Sequence, residues 1–243
     1  MSGILYLCAT PIGNLGDLGE RVGETLRAVD FIAAEDTRHS LRLLNHLGVK
    51  KPLVSFHEHN RHEKADYIIA RLKEGDNVAL LCDAGTPTIS DPGYELVARC
   101  QAEGLAVTAL PGPCALIAAL SLSGLSPRRF CFEGFLPAAK KERRLILAEL
   151  ASERRTIVLY EAPHRLTKTL GDLLAALGGE RRLTVCRELT KKFEEVRPTT
   201  IAAALLHCQE NPPRGEYVLV LAGAEEEKER TPKVHVNKYK KGD

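Results

Sequence analysis

The sequence predicts an α/β fold of two domains, with a parallel sheet in the first domain and a mixed sheet in the second. Three observations predict it. The 243 residues can form two compact cores, and hydrophobic and charged fractions of 44% and 27% are ordinary for globular proteins. Apolar runs alternate with amphipathic stretches, as in strands joined by helices. A polar connector that contains Gly and Pro, Ser121–Arg129, interrupts this alternation near the middle of the chain.

The first half alternates four strands with four helices. Its short apolar runs predict buried parallel strands at Ile4–Ala9, Phe31–Ala34, Val78–Cys82 and Ala106–Leu110. Its amphipathic stretches predict helices at Leu18–Val29, Ser40–Leu47, Glu63–Lys73 and Tyr94–Glu103. In such a sheet, ligands bind beyond the carboxyl ends of the strands.

The second half repeats the pattern after the connector. Strands are predicted at Phe130–Glu133, Thr156–Tyr160, Leu183–Arg187 and Glu216–Leu221, and helices at Lys140–Leu150, His164–Leu177 and Thr199–His207. The domains are therefore predicted at 1–122 and 123–223. The charged segment 224–243 lacks apolar periodicity and is predicted to be disordered.

Three strands of the first half end in loops rich in glycine and proline. These loops begin at Thr10, Asp83 and Pro111. Glycine lets backbone approach a ligand and proline stiffens the loop, so three such loops at one sheet edge predict a nucleotide-sized pocket. No G-x-G-x-x-G or G-x-x-x-x-G-K-[ST] follows any strand, which excludes the usual dinucleotide site and the P-loop.

A second group of polar residues lies at the ends of other elements. Glu35, Asp36 and Arg38 follow the second strand, and His57 and Glu58 precede a helix. The histidine spacing at 57, 59 and 62 fits neither H-E-x-x-H nor a zinc finger, so we predict no metal. Helix capping is the alternative interpretation of these residues, as structural ion pairing is for Glu161–Arg165 and Arg187–Lys192.

Charge is distributed unequally between the two halves. Residues 1–123 hold 11 basic and 15 acidic residues, a net −4, whereas residues 124–243 hold 23 and 17, a net +6. Six basic doublets lie within residues 124–223: Arg128-Arg129, Lys140-Lys141, Arg143-Arg144, Arg154-Arg155, Arg181-Arg182 and Lys191-Lys192. The surface of the second domain is therefore predicted either to face a polyanion or to be merely solvated.

The cysteines and the first residues predict the compartment. Seven cysteines are scattered singly, which favours free thiols in a reducing cytosol. The start of the chain has no basic region before its first apolar run, so no secretory signal is predicted, and no apolar run has the length of a membrane span. We therefore expect a cytoplasmic protein.

Several of these segments together resemble a known family. The runs LYLCATPIGNLGDL, AAEDTRHSLRLLNHLGV, SFHEHN, LLCDAGTPTISDPG, LPGPCA, FEGFLP, LYEAPHR, CRELTKKFEE and GEYVLVLAG follow one another over residues 4–223. In this order they resemble the tetrapyrrole methylase superfamily, in particular its branch that methylates small-subunit (16S) ribosomal RNA. The resemblance implies two α/β domains with S-adenosyl-L-methionine in the cleft between them, a homodimer, and 2′-O-methylation of a cytidine in that RNA or in the assembled small subunit.

The resemblance also implies site residues, matched motif by motif. Cofactor contacts fall on Pro11, Leu81, Cys82, Asp83, Thr86, Cys114, Ala115, Tyr160, Glu161, Glu188 and Leu189, with Asp83 holding the ribose or the amino-acid moiety.

Methyl transfer to a ribose hydroxyl is helped by a base, and RNA phosphates need cations. The candidate bases are Glu35, Asp36, His57 and Glu58, and the candidate RNA contacts are Arg38, Arg143, Arg144, Arg165 and Lys191.

Two other functions stay open at this point. A methyltransferase of the precorrin type is one, although such enzymes usually read G-D-P where this chain reads Asp83-Ala84-Gly85. An RNA-binding module with an inactive pocket is the other, and intact loop motifs disfavour it.

Overall fold

A computed structural model of the protein describes residues 1–224, so most of the predicted disordered tail lies outside the described residues. Two five-stranded sheets organise the described chain. The first sheet is wholly parallel in the order β3-β2-β4-β1-β5. Its strands are β1 (Ile4–Cys8), β2 (Phe31–Ala34), β3 (Leu53–Ser55), β4 (Val78–Leu81) and β5 (Ala106–Leu110).

Helices cover both faces of the first sheet. Those of this half are α1 (Glu20–Ala28), α2 (Thr37–His46), α3 (Arg61–Glu74) and α4 (Tyr94–Ala102). Leu26 of α1 and Leu44 of α2 pack on one face, whereas Ile68 of α3 and Leu96 of α4 pack on the other. The chain leaves β1 toward the first of these faces and leaves the adjacent β4 toward the second. A doubly wound sheet opens a ligand crevice at such a point, here between β1 and β4.

The second sheet is mixed, as predicted, in the order β6-β7-β10-β8-β9. Its strands are β6 (Phe130–Phe135), β7 (Thr156–Glu161), β8 (Arg182–Arg187), β9 (Glu195–Thr200) and β10 (Tyr217–Leu221). Only β6 and β7 pair in parallel, and the other neighbours are antiparallel. Three helices pack on one face: α6 (Lys140–Ser152), α7 (Pro163–Leu177) and α8 (Ile201–Glu210).

The opposite face of the second sheet is covered by α5 (Ala115–Leu122). Leu116 and Leu120 of this helix pack with Val158 of β7 and Val218 of β10, and Ile12 and Cys114 from the first half join the same cluster. The predicted division at residue 122 separates α5 from the sheet on which it packs. We propose instead that the two domains divide in the loop 111–114.

Three elements were not predicted from the sequence. The strand β3 has only three residues, and β9 contains Pro198, which a sheet tolerates because β9 lies at its edge. The helix α5 is apolar on nearly all sides and so lacks the periodicity that reveals an amphipathic helix. The other elements match the predicted spans to within a few residues at each end.

Three further findings concern residues 1–224 only. No helix among them has the length and apolarity needed to cross a bilayer. No cluster of three or more His, Cys, Asp or Glu side chains in this part of the chain has a geometry suited to a metal ion. All seven cysteines are free thiols, five of them buried.

Candidate active site

A cavity of about 460 Å³ lies in the cleft between the two sheets. Loops after β1, β4 and β5 form its first wall, which belongs to the first half of the chain. The ends of β7, β8 and β10 form its second wall. Seven of the predicted cofactor residues line it: Asp83, Thr86, Cys114, Ala115, Tyr160, Glu161 and Leu189.

Four predicted cofactor residues do not line this cavity. Leu81 is buried in the core of the first sheet, because it is the last residue of a central strand. The Cys82 thiol donates to the Gly85 carbonyl at 3.3 Å, and with Pro11 it lines a separate cavity of about 250 Å³. Glu188 accepts a hydrogen bond from Lys191 Nζ at 2.9 Å, and of these two residues only Lys191 lines the cavity.

Hydrogen bonds tie the three loops of the first wall together. The Thr10 and Gly85 backbones exchange two hydrogen bonds, of 2.7 and 3.0 Å, and Gly85 takes a φ of +87° that favours glycine. The Thr86 hydroxyl donates to the Pro113 carbonyl at 3.1 Å. Farther along the same loop, Thr88 and Ser90 have φ of +75° and +62°, a conformation that costs non-glycine residues about 1 kcal/mol or more and often marks functional loops.

Three carboxyl groups meet at the edge of the first wall: Glu35 after β2, and Asp83 and Asp91 after β4. The Asp36 backbone N–H donates to Asp83 Oδ1 at 3.1 Å, and the Glu35 and Asp91 carboxyl groups are hydrogen-bonded to each other. Burial, followed by the charge of Asp83, raises the pKa of Glu35. Burial, followed by the charge of Glu35, raises the pKa of Asp91 to about 7. Because like charges this close resist joint ionisation, the pair keeps a proton to a higher pH than isolated carboxyl groups would.

The predicted bases differ in their surroundings. Asp36 caps α2, and its carboxylate binds Arg38 at 2.8 Å, which lowers the pKa of Asp36 to about 2 and makes it a weak base. Glu58 pairs with Arg61 at 2.6 Å and lines a second cavity with Glu35. Among the described residues, the buried Nδ1 of His57 has no hydrogen-bond partner.

Aromatic rings and paired charges form the second wall. The Tyr160 hydroxyl accepts from the Leu116 backbone N–H at 3.0 Å, and burial raises its pKa. The rings of Phe132 and Phe135 lie 4.9 and 5.7 Å from the ring of Tyr160. Lys191 Nζ donates to Glu188 at 2.9 Å and to Glu216 at 2.6 Å.

Buried polar side chains support this second wall. Arg143 Nε donates to Asp172 at 2.7 Å, and its Nη2 donates to the Thr169 hydroxyl at 2.8 Å. Thr169 donates in turn to the buried carboxylate of Glu161, which also lies 3.6 Å from Arg165 Nε.

The structure argues against the RNA contact predicted for Arg143. Its guanidinium is 6% exposed and is used within the domain, because α6 turns this side chain inward onto α7. Arg144, its neighbour, is exposed. Arg165 also donates to the Leu136 carbonyl, and Arg38 is held by Asp36, so neither guanidinium is free of protein partners.

Several lining residues were missed from the sequence. The cleft cavity is also lined by Ile12, Ala84, Gly85, Ile89, Ser90, Asp91, Phe135, Ala162, Pro163, His164, Cys186, Lys191, Glu216, Tyr217 and Val218, of which only Lys191 was assigned a site role, as an RNA contact. Among these missed residues, Asp91 is the one whose carboxyl group has the most strongly raised pKa. Its signal was available, because it stands in the same Gly/Pro-rich loop as Asp83, eight residues later.

Comparison with known proteins places this cleft in a family. The model of the tetrapyrrole (corrin/porphyrin) methylases matches residues 4–205. The chain belongs to the tetrapyrrole methylase family. This agrees with the predicted two α/β domains and with the predicted methyltransferase activity.

Curated relatives are more specific. Ribosomal RNA small subunit methyltransferase I of Synechocystis sp. is 55% identical over 222 residues, which cover 91% of this chain and 80% of that protein. The protein of the same name from Haemophilus influenzae is 51% identical, with 92% and 80% covered. Uroporphyrin-III-C-methyltransferase from Thermus thermophilus has a solved structure that matches with a TM-score of 0.64 at 22% identity, over 90% of this chain and 94% of that one, which shows a shared fold.

Proposed function

We propose that this protein transfers a methyl group from S-adenosyl-L-methionine to the ribose 2′-hydroxyl of a cytidine in small-subunit ribosomal RNA. One observation carries the proposal. The cleft between the two sheets adjoins the carboxyl groups of Glu35, Asp83 and Asp91 at the switch point of the first sheet, and the chain is 55% identical to a ribosomal RNA methyltransferase. A cleft at this point is where doubly wound sheets bind nucleotides.

The cleft residues fit this methyl donor. About 460 Å³ lies in the range of small-molecule sites. Ile12, Ile89 and Leu189 offer apolar surface for an adenine ring, and Asp83 offers a carboxylate to a ribose diol or an ammonium group. When bound, S-adenosyl-L-methionine supplies an electrophilic methyl group on a positively charged sulfur. The acidic first wall suits that charge.

The chain's own residues contribute the orientation of the two reactants. The hydrogen-bonded loops at Thr10, Gly85 and Thr86 hold the first wall rigid, and the Tyr160 hydroxyl fixes the start of α5 against the second. Such fixed walls keep reactants in near-attack geometry, at roughly 3 Å, which is the main contribution a protein makes to a displacement that needs little covalent help.

The exposed basic residues of the second half support RNA as the acceptor. Lys140, Lys141 and Arg144 lie exposed at the start of α6, which follows the strand that bears Phe135 of the cleft. Exposed cations attract phosphates, and contacts to phosphates position a nucleic-acid backbone without reading its bases. The structural likeness to a tetrapyrrole enzyme, at 22% identity, extends to the fold alone, so it does not favour a precorrin-type substrate.

Assembly and compartment belong to the same proposal. The helix α5 is apolar on nearly all sides, yet Ile117 and Leu122 are about half exposed on the side away from the second sheet. A helix of this kind is normally buried on both sides, which supports a homodimer contact through α5. Free thiols and a ribosomal substrate support a cytoplasmic location.

Methyl incorporation from labelled donor tests the proposal. The protein is incubated with small ribosomal subunits that lack the modification, with free small-subunit RNA, and with a precorrin. We expect label in the subunits or the RNA, in a nucleoside whose 3′-linkage resists alkali because its 2′-oxygen is blocked. Label in the precorrin alone would establish the rival enzyme, and label in no acceptor would establish a binding module.

A further inference from the structure

A second cavity, of about 770 Å³, opens beside the cleft cavity. It lies between the loops that follow β2 and β4 and the facing sides of α3 and α4. Glu35, Arg61, Tyr94 and Arg99 are among the residues that line it. Within residues 1–224, only Ser90 and Asp91 line both this cavity and the cleft cavity.

Two cavities that share lining residues suit a displacement reaction between two bound molecules. The attacking oxygen must approach the methyl group from the side opposite the departing sulfur, with the three atoms in line. Donor and acceptor therefore occupy neighbouring sites that meet at one place. In this molecule Ser90 and Asp91 line both the cleft cavity and the second cavity, so the two cavities approach each other at these residues.

We propose that the second cavity holds the acceptor nucleotide and that Asp91, at the wall that the two cavities share, is the catalytic residue that accepts the proton of the ribose 2′-hydroxyl. This rests on the proposed function and names the acceptor subsite and the base, which the sequence placed at Glu35, Asp36, His57 or Glu58.

The step balances in atoms and electrons. The O–H bond of the ribose hydroxyl breaks, and its proton passes to the Asp91 carboxylate. The electron pair on oxygen forms the new O–CH₃ bond. The S–CH₃ bond breaks at the same time and leaves its electrons on sulfur, which becomes a neutral thioether. Solvent removes the proton from Asp91 after the product leaves.

The contents of the second cavity fit a nucleotide unit of RNA. The exposed ring of Tyr94, at the start of α4, offers a stacking face for a base. Arg61 and Arg99 also line the cavity, but both guanidinium groups already have acidic partners, Arg61 in Glu58 and Glu95 and Arg99 in Asp66, so a phosphate would have to share them. Its volume lies in the range of small-molecule pockets, so a flipped-out nucleotide has room there.

The surroundings of Asp91 suit a base that works near neutral pH. Burial, and next the charge of Glu35, raises its pKa to about 7. The ionisable groups that face it are Glu35 from the end of β2, Cys82 and Asp83 from the end of β4, and Tyr160 from β7. A base whose pKa lies near the working pH is the most effective. Glu35 is then a positioning residue, since it acts on the proton affinity of Asp91.

The substitution Asp91→Asn tests the assignment, because the amide keeps the shape and loses the base. Single-turnover methyl transfer to small subunits should fall at least about 100-fold, the low end for a general base. Calorimetric affinity for S-adenosyl-L-methionine should fall far less than the rate, because Asp91 is only one of the residues that line the donor cavity. The matched control is Asp30→Asn, which lies exposed before β2 at the opposite end of the sheet, and it should match wild type in both measurements.

A pH profile tests the role of Glu35. The wild-type single-turnover rate should fall as the pH drops through about 7, because Asp91 becomes protonated. In Glu35→Gln the repelling charge is gone, so the fall should move to lower pH by about 1 unit or more. A purely structural role for Glu35 would lower the rate at every pH and leave the midpoint where it was.

The possible failures are distinguishable. If the wild type is active, two results for Asp91→Asn overturn the assignment of the base: an unchanged rate, or a loss of rate that is matched by an equal loss of donor affinity. In both cases the proposed function still stands. An unshifted midpoint in Glu35→Gln also overturns the assignment of the base. A wild type that methylates none of the acceptors overturns the proposed function, and this assignment with it.

Discussion

The two walls of the cleft treat their carboxylates in opposite ways. On the first wall, Glu35 and Asp91 are hydrogen-bonded to each other, with Asp83 close by, and the pKa values of Glu35 and Asp91 are raised. On the second wall, Glu188 and Glu216 bind Lys191, and Glu161 lies beside Arg165. Crowding keeps protons on the Glu35 and Asp91 carboxyl groups to higher pH, whereas Lys191 favours the ionised form of Glu188. The first wall is therefore equipped for proton transfer and the second for holding its shape.

The second wall should be the more important of the two for stability. Arg143→Ala would leave the Asp172 carboxylate and the Thr169 hydroxyl without their partner. Breaking a buried pair costs about 3–5 kcal/mol, and because Asp172 is about one-third exposed we expect about 2–3 kcal/mol here. Urea unfolding measures this loss. Arg144→Ala, on the exposed side of the same helix, should stay within about 0.5 kcal/mol of wild type; equal losses in the two variants would contradict the burial argument.

The first wall should be the more important for the methyl donor. Asp83→Ala removes the one carboxylate of this wall that the cleft cavity and the cavity at Pro11 share. Losing a hydrogen bond to a charged group costs at least about 1.5 kcal/mol, so affinity for S-adenosyl-L-methionine should fall about 12-fold or more. Calorimetric titration gives the value, with Asp17→Ala in an exposed turn as the control. Unchanged affinity in a folded Asp83→Ala protein would remove Asp83 from the donor site.

A smaller effect on stability, with a characteristic pH dependence, is expected from the second wall. Burial disfavours the charged form of Glu188, but hydrogen bonds from Lys191 and the Glu216 backbone outweigh it and lower its pKa. A lowered pKa stabilises the fold above the unfolded value of about 4.3, and this contribution is lost as the pH falls through the lower, folded value. Lys191→Met should therefore cost up to about 1 kcal/mol near neutral pH, since the pair is partly exposed, and much less in acid. A loss of stability that is independent of pH would mean that only the packing of the Lys191 stem matters.

The smallest expected effect concerns the charge contrast between the halves. With Arg143 buried, the exposed cations at the start of α6 are Lys140, Lys141 and Arg144. Replacing Lys140 and Lys141 with alanine should weaken binding to small-subunit RNA and reduce the slope of log affinity against log salt by about 1–2. The same change at Lys50 and Lys51, in the acidic half, is the control. Equal slopes in both double variants would show that the basic doublets of α6 are only a solvated face.

The sequence predicts a feature well when the pattern that determines it is local in the chain, and poorly when distant residues determine it. Apolar runs such as Val78–Leu81 reveal strands because the pattern is local, and the loops after them could be placed at one sheet edge by topology alone. The direction in which Arg143 points is not local information. It is determined by the packing of α6 on α7, so a residue that looked like one half of a surface doublet lies inside.

The missed base has a similar explanation. Little in the run after β4 distinguishes Asp91 from Asp83, since both are acids among small residues in one loop rich in glycine and proline. Only the fold shows that the loop doubles back through Thr88 and Ser90, in left-handed backbone conformations, and brings Asp91 to the Glu35 carboxyl group from another strand. That neighbour changes the proton affinity of Asp91, and the sequence separates the two by more than fifty residues.

The packing of α5 determines where this chain can be cut. A fragment that begins at residue 123 would leave behind the helix that covers Val158, Val218 and Val220, so one face of its sheet would meet water and the fragment should aggregate. A fragment that begins at residue 111 would keep α5 on that face, with the Leu116 backbone N–H still donating to Tyr160. Anyone who divides the gene to obtain the basic half alone should place the new start codon before Pro111, inside what reads as the last loop of the acidic half.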